Sequence, residues 1–325
     1  MIPNNFKSQE EYDFPNIVNV AVLRGSCPCE CVHCPVGSTK KSERHERFGS
    51  TCIDLILFKK IVDQMKPFKH SILRIHAVGE PLLWDDLEKA LTYAKLNGIK
   101  TWIFTSLITN KKNQLDTIAN YSSIIEVSVN SIDKEEYKIT KGVDAFDLVK
   151  DNISYISKII KKFDLKTRVI ASRVQTEDQG YDSKFVEYWK SSGLVDDSFI
   201  RSYHSYNGVI KDKGNKEIRD VLPCQVHWAR FNIDTSGKAV ICFNELFKGK
   251  EVNENVVLGD LKNESIQDIW HGKKLSCIRQ AQIEGNYSKV DFTKELPCLK
   301  CKYCQPIGAK RITSEYQVKQ VLAKC

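Results

Sequence analysis

The chain alternates between short apolar runs and longer stretches in which apolar residues recur at every third or fourth position. The longer stretches, such as CIDLILFKKIVDQM (52–65) and LEKALTYAKLNG (87–98), have the spacing of amphipathic helices. The apolar runs predict strands at residues 17–23, 72–78, 99–105, 124–130, 166–172 and 197–203. Buried strands that alternate with helices are typical of a parallel sheet with helices outside. We therefore predict an α/β fold of six βα units, closed or partly closed into a barrel.

The pattern changes after about residue 206. The stretch NGVIKDKGNKEIRD (207–220) contains turn-forming Gly and Asn and little apolar sequence, so it predicts a linker. Beyond it, FNID and KAVIC predict two short strands joined by the turn at 235–237. A length of 325 residues exceeds what a single core usually holds. We predict two domains, residues 1–206 and 207–325.

Composition favours an enzyme of the cytoplasm. The start MIPNNFKSQEEYDF is polar and acidic and lacks the features of a signal peptide, and no apolar stretch approaches the length of a membrane span. We expect no membrane partner, and we expect the 12 cysteines to be metal ligands in a reducing compartment. The formal charge of +8 comes from basic residues scattered among 41 acidic ones, which favours an anionic substrate over nucleic acid.

Three cysteines form the most informative motif. Cys27, Cys31 and Cys34 follow the first predicted strand as C-x3-C-x2-C in RGSCPCECVHCPVG. Three thiolates on one loop can hold three irons of a [4Fe–4S] cluster and leave the fourth iron open for chemistry. A structural zinc site is the alternative, although it usually pairs C-x2-C with a second, distant pair. Cys29 inside the motif also allows other choices of ligand. We predict the open cluster, because spacing and position after a strand agree.

This motif resembles that of the radical S-adenosylmethionine (SAM) superfamily. The resemblance implies that the open iron is chelated by the amino and carboxylate groups of SAM, and that one electron from the cluster cleaves SAM to a 5′-deoxyadenosyl radical. It also implies a partial (β/α)6 TIM-like barrel, in which ligands gather beyond the carboxyl ends of the strands. His33 stands where the family usually places an aromatic or similar residue whose backbone lies against the adenine.

The end of the second strand resembles the family's G-G-E-P element, whose backbone groups bind the SAM amino group. Here the element reads Gly79, Glu80 and Pro81, and Val78 replaces the first Gly. Gly permits a close approach of the backbone to a ligand. An ordinary turn with Pro is the alternative, but the position relative to the cysteine loop favours SAM binding.

Polar residues at three later strand ends complete the implied SAM site. Ser106 stands near the position of a ribose-binding element, although the usual Asn and Gly are absent. Ser128 and Asn130 match an S-x-D/N element whose side chains reach the ribose or the carboxylate of SAM. On the fifth strand, Arg173 or Arg168 would meet that carboxylate. Ser and Thr at strand ends are also common as helix caps.

The cysteines of the second half resemble the SPASM and twitch extensions of radical SAM enzymes. The shared features are a G-x4-C hairpin, the GDL…SIQDIW segment and a closing C-x2-C. The resemblance implies a small C-terminal α+β iron–sulfur domain. The full SPASM spacing for two clusters is not met, so we expect one auxiliary [4Fe–4S] cluster held by Cys224, Cys242, Cys298 and Cys301, with Cys304 able to replace one of them. A zinc ribbon is the alternative, since two pairs of thiolates also suit tetrahedral zinc.

The overall layout is similar to that of the superfamily's aminocyclitol dehydrogenases. It implies an oxidoreductase acting on a small polyol, sugar or aminocyclitol-like substrate, with an auxiliary cluster that accepts an electron and a reductant of the flavodoxin or ferredoxin type. The first alternative is a radical epimerase or cross-linking enzyme acting on a sugar or a ribosomally made peptide. Epimerisation needs a hydrogen-donor thiol, for which Cys277, Cys304 and Cys325 are candidates. The remaining alternative is a non-catalytic iron–sulfur electron carrier.

Overall fold

The computed structural model describes residues 13–211, 224–287 and 296–301. Cys304, Cys325 and most of the predicted linker at 207–220 lie outside these ranges. The division into residues 1–206 and 207–325 therefore stays a prediction. No helix in the described ranges is long and apolar enough to cross a membrane.

Nine strands of the described residues form one sheet. Its order is β6-β5-β4-β3-β2-β1-β7-β8-β9, and the first six strands are parallel. The strands are β1 Ile17–Arg24, β2 Ile72–Val78, β3 Lys100–Thr105, β4 Ile124–Ser128, β5 Arg168–Val174, β6 Asp197–Arg201, β7 Arg230–Ile233, β8 Lys238–Val240 and β9 Val257–Asp260. Each of the six strands predicted in the first half is confirmed, with bounds within two residues of the expected ones.

Helices connect the parallel strands, as the apolar spacing predicts. The helices of the described ranges are α1 Arg44–Phe48, α2 Leu55–Met65, α3 Leu87–Leu96, α4 Lys112–Tyr121, α5 Lys134–Lys141, α6 Phe146–Lys162, α7 Gln179–Ser191, α8 Gln225–Ala229, α9 Ile266–Trp270 and α10 Lys273–Glu284. Local sequence sets several of their ends. Asp54 caps α2 by accepting from two backbone N–H groups, and Asp133 caps α5, which ends at Gly142 in a left-handed conformation.

The predicted hairpin continues the sheet. Strands β7 and β8 are antiparallel and joined by the turn at 235–237, as the sequence predicts. Strand β7 also pairs in parallel with β1, in a register that places Asn19 beside Asn232. Because of this pairing, β8, which ends just before Cys242, belongs to the same sheet as β1, which ends just before the cysteine loop.

Alternation along the strands divides the barrel interior into layers. Side chains two residues apart on a strand share one face. A layer of large apolar residues near the amino ends closes the bottom of the barrel: Ile17, Ile72, Trp102, Ile124, Ile170 and Phe199. The next layer, two residues further along each strand, is polar except for Phe104 of β3: Asn19, Arg74, Glu126, Ser172 and Arg201. A closed apolar bottom beneath polar groups leaves the carboxyl ends of the strands as the place for a ligand.

Candidate active site

A cavity of about 230 Å³ opens above this polar layer. It lies at the carboxyl ends of the strands, where the cysteine loop leaves β1. Six of the SAM-site residues predicted from the sequence line the cavity: His33, Gly79, Glu80, Ser106, Ser128 and Arg173. Pro81, Asn130 and the alternative arginine, Arg168, are not among its lining residues. The six that line it come from five separate segments, so the fold brings together what the sequence spreads over 140 residues.

The three motif thiols, Cys27, Cys31 and Cys34, line the same cavity. Backbone bonds attach their loop to the end of α5, since the N–H of Glu30 donates to the carbonyl of Lys141 at 2.8 Å. Cys29 also lines the cavity, within hydrogen-bonding reach of its neighbours Cys27 and Cys31. The soft thiol donor set fits the iron of a cluster. Among the described residues, no three metal-binding side chains converge closely enough to hold a single ion.

Glu80 joins the second and third strand ends. Its carboxylate accepts hydrogen bonds from the Thr105 hydroxyl at 2.6 Å and from the backbone N–H of Ser106 at 2.7 Å. Its own N–H donates to the carbonyl of Ser26 in the cysteine loop, at 2.8 Å. Burial raises the pKa of the Glu80 carboxyl. The Glu80 side chain thus positions the strand ends, and binding of the SAM amino group by the backbone of this element stays a prediction.

The space at position 79 is large enough only for glycine. A Cβ atom at this position would lie 2.2 Å from the carbonyl oxygen of Ser26. Any other residue would push the strand end away from the cysteine loop. The Gly of the predicted element therefore brings β2 into direct contact with the segment that carries the thiols.

Ser128 and Asn130 lie together at the end of β4. The Asn130 amide donates to the Ser128 hydroxyl at 2.8 Å, and its oxygen accepts from the backbone N–H of Val174 at 2.8 Å. Asn130 adopts a left-handed backbone with φ of 64°. It holds the ends of β4 and β5 in place, while Ser128 lines the cavity.

The buried cation beside Ser128 is Lys141, which sequence reasoning missed. Its Nζ donates to the Ser128 carbonyl at 2.8 Å and lies 3.4 Å from the Ser128 hydroxyl. Burial opposes its charged form, but the neighbouring thiols of Cys31 and Cys29 raise its pKa, so it stays an ammonium. Lys141 ends a helix rather than a strand, so a search of strand ends could not find it.

The predicted arginine is engaged elsewhere. Arg173 lines the cavity, yet its guanidinium donates to Asp182 at 2.8 Å and to Glu136 at 3.2 Å, and it also bonds to the Asn130 carbonyl. The alternative, Arg168, lies at the amino end of β5 and pairs with Asp196, at the opposite end of the strand from the cysteine loop. Of these cations, Lys141 has the geometry best suited to a carboxylate in the cavity.

A second cavity, of about 80 Å³, contains the auxiliary thiols. Cys224, Cys242, Cys298 and Cys301 all line it, although they come from three separate segments. Burial, and the neighbouring thiols of Cys224 and Cys242, raise the pKa of Cys298. Four thiols in one small cavity make a complete donor set for a cluster. Cys304 lies outside the described ranges, so its role as a replacement ligand stays a prediction.

The two cavities share a wall. His204, Arg230, Phe243 and Asn244 line both of them. Asn19 lines the first cavity and Asn232 the second, and their side-chain amides are joined by a hydrogen bond of 3.2 Å. The candidate hydrogen donor Cys277 lies on α10 and is not among the described residues that line either cavity.

Comparisons with known proteins are consistent with this geometry and decide the family. A model of the radical SAM superfamily matches residues 23–181, and a model of SPASM, an iron–sulfur cluster-binding domain, matches residues 224–304. The chain belongs to the radical SAM superfamily. Membership confirms that it is an enzyme whose cofactors are a [4Fe–4S] cluster, SAM and auxiliary iron–sulfur clusters. The SPASM match favours an iron–sulfur cluster over zinc at the second site, and the radical SAM match favours an enzyme over a non-catalytic electron carrier.

The similar proteins are named for, or bound to, different kinds of molecule. The chain is 22% identical over 296 residues to the S-adenosyl-L-methionine-dependent 2-deoxy-scyllo-inosamine dehydrogenase of Niallia circulans, covering 89% of this chain and 92% of that protein. Its fold resembles Streptococcus suis SuiB bound to the precursor peptide SuiA, with a TM-score of 0.65, 15% identity, and coverage of 94% and 73% of the two chains. It also resembles BtrN in complex with AdoMet and 2-DOIA, with a TM-score of 0.51, 17% identity, and coverage of 87% and 92%.

Proposed function

We propose that this radical SAM enzyme is an oxidoreductase that oxidises an alcohol carbon of a small polyol, sugar or aminocyclitol-like substrate. When bound, SAM and the two clusters supply a radical that abstracts hydrogen and an acceptor for one electron. The substrate loses a hydrogen atom, then an electron and a proton, so the product lacks two hydrogens. Cys27, Cys31 and Cys34 would hold the SAM-binding cluster. The auxiliary thiols, Cys224, Cys242, Cys298 and Cys301, would hold the acceptor.

The shared wall between the two cavities is the observation that carries this proposal. A dehydrogenase must pass its second electron from the substrate to an acceptor. The wall formed by His204, Arg230, Phe243 and Asn244 separates the SAM cavity from the auxiliary thiols by a single layer of side chains. An electron leaving the first cavity would therefore cross only this layer of side chains to reach the second.

The polar floor of the first cavity suits a substrate rich in hydroxyl groups. Arg201 is bonded through two nitrogens to Glu126, at 2.8 and 2.7 Å. Burial favours the neutral acid, but the Arg201 guanidinium outweighs it and holds the pKa of Glu126 below its usual range. Asn19 and Ser172 line the same floor. Glu126 lies behind Arg201 and is not among the lining residues, whereas Arg201, Asn19 and Ser172 line the cavity and offer both donors and acceptors to a polyol.

SAM itself would bind above this floor. We infer that Lys141 and Ser128 meet its carboxylate, because they place an ammonium and a hydroxyl side by side in the cavity. The backbone of Gly79, Glu80 and Pro81 remains the predicted partner of the SAM amino group, and His33 that of the adenine. A reductant of the flavodoxin or ferredoxin type and a cytoplasmic location complete the proposal, since cluster thiols need a reducing compartment.

Peptide modification is the second candidate function, and the likeness to SuiB favours it. The SuiB structure contains a precursor peptide. Epimerisation of a peptide or a sugar would return hydrogen to the substrate from a thiol. Cys277, Cys304 and Cys325 remain the candidates, although Cys277 is not among the described residues lining either cavity.

The fate of the substrate hydrogen tests the proposal. Reduced, fully iron-loaded enzyme is incubated in deuterated water with SAM and 2-deoxy-scyllo-inosamine or related polyols, and the products are analysed by mass spectrometry. We expect a product that lacks two hydrogens and contains no deuterium at the reacting carbon. Replacing Cys298 and Cys301 by Ala should abolish this product while SAM cleavage continues, because the first cavity is intact.

Cys277→Ala is the matched control. It should leave dehydrogenation unchanged, because no thiol donor is needed. The contrary result is a product of otherwise unchanged composition that carries one deuterium and disappears in a Cys277, Cys304 or Cys325 variant. It would show that the enzyme is an epimerase rather than a dehydrogenase.

A further inference from the structure

His227 lies beside the auxiliary thiols and has no role in the chemistry described so far. It belongs to α8, three residues after Cys224, and its side chain is fully buried. Its Nε2 lies 3.8 Å from Sγ of Cys298, within hydrogen-bonding range for sulfur. Its other ring nitrogen, Nδ1, contacts Nε2 of Gln282, which is also buried.

Groups that can only donate fix the proton on this ring. The indole N–H of Trp228 and the backbone N–H of Cys224 both point at Oε1 of Gln282, at 3.0 and 3.3 Å. Two donors need an acceptor, so this atom is the amide oxygen and the other is the NH₂ group. The NH₂ group then donates to Nδ1 of His227. Nδ1 is therefore unprotonated, and the ring proton lies on Nε2.

The ring is also neutral. Because Nδ1 accepts a hydrogen bond from the Gln282 amide, the ring carries a single proton. The Arg279 guanidinium fixes the backbone here as well, donating to the His227 carbonyl at 2.9 Å. A neutral ring with its proton on Nε2 presents an N–H to Cys298 and no lone pair. The geometry thus makes His227 a hydrogen-bond donor to the sulfur rather than a metal ligand.

We propose that His227 donates a hydrogen bond to the Cys298 thiolate and thereby raises the reduction potential of the auxiliary cluster. Reduction adds negative charge to the cluster and its sulfurs, so an N–H donor stabilises the reduced form more than the oxidised form. A higher potential favours transfer of the second electron from the substrate. That benefit rests on the proposed function, whereas the hydrogen bond itself does not depend on the substrate.

Redox titration of the reconstituted full-length protein, followed by electron paramagnetic resonance, tests the proposal. His227→Phe keeps a ring but removes both nitrogens, whereas His227→Gln places an amide N–H near the position of Nε2. We expect His227→Phe to lower the midpoint potential of the auxiliary cluster by about 59 mV, which is a tenfold change in the equilibrium constant of a one-electron reduction. His227→Gln should recover most of that change. The midpoint of the SAM-binding cluster, on the other side of the wall, should stay constant in both variants.

A spectroscopic signature and a second variant keep the test independent of folding and of turnover. With ¹⁵N-labelled histidine, the reduced auxiliary cluster should show a weak nitrogen coupling that His227→Phe removes. Gln282→Leu keeps the ring but removes the amide that fixes its proton, so it should give a smaller shift in the same direction. An unchanged auxiliary midpoint in His227→Phe at full iron content would overturn the proposal. If that variant loses the cluster, an unchanged midpoint in Gln282→Leu would overturn it instead.

Discussion

At the scale of single residues, Lys141 determines how strongly the first cavity can bind an anionic group. An ammonium taken out of water costs several kcal/mol unless anionic or polar partners replace the solvent. Lys141 bonds to the Ser128 carbonyl and lies near the thiols of Cys29 and Cys31. Its position on the cavity lining leaves it accessible to a ligand. A carboxylate placed there would gain a charge-assisted hydrogen bond at little further cost, because the cation is already desolvated.

Replacing this cation should weaken SAM binding. Hydrogen bonds to charged groups contribute about 1.5–3 kcal/mol, so Lys141→Met should raise the Kd for SAM by roughly 10- to 100-fold. Titration calorimetry on the reconstituted protein measures it. Lys138→Met, on the exposed face of the same helix, is the control and should bind SAM normally. Normal affinity in the Lys141 variant would show that another cation, such as Arg173, binds the carboxylate of SAM.

At the scale of elements, contacts between loops and helix ends assemble the site. The strands and their helices follow from apolar spacing, because strands buried on both faces need continuous apolar runs. The contact between the cysteine loop and the end of α5 could not be predicted in this way. It depends on the left-handed turn at Gly142, which lies against Glu30 and lets the backbone of Glu30 bond to Lys141. Such a contact joins distant segments and has no periodic signal.

Gly142 therefore gives a prediction about the loop that holds the thiols. A Cβ at Gly142 would lie 2.6 Å from Cβ of Glu30, whereas Gly193 has the same φ of 68° and no atom within 4 Å. Alanine at either position should cost about 1–2 kcal/mol for the left-handed backbone. Only Gly142→Ala should also lose iron from the first cluster and weaken SAM binding. Equal iron content in both variants, measured after the same reconstitution, would show that the loop is held by other contacts.

At the scale of the whole molecule, one sheet contains both the strand that precedes the cysteine loop and the hairpin that precedes Cys242. The sequence was sufficient to predict the hairpin and its cysteines, since turn residues and short apolar runs mark them. It did not predict that β7 pairs with β1, because parallel pairing between strands more than 200 residues apart depends on tertiary packing. The same is true of Gln282 and His227, whose contacts with each other and with Cys298 arise only when α8, α10 and the turn at 297–300 pack together.

The separation of the two cavities predicts that their clusters assemble independently. Anaerobic reconstitution should give about eight irons per chain, as two [4Fe–4S] clusters. Replacing Cys27, Cys31 and Cys34 together by Ala should remove about four irons and abolish SAM cleavage. Replacing Cys224, Cys242, Cys298 and Cys301 should remove a similar number and leave SAM cleavage in place, because these thiols lie beyond the shared wall. Iron analysis of both variants, with zinc measured in the same samples, checks both expectations. A wild-type content of about four irons and one zinc would remove the electron acceptor from the proposal, since zinc has no redox chemistry.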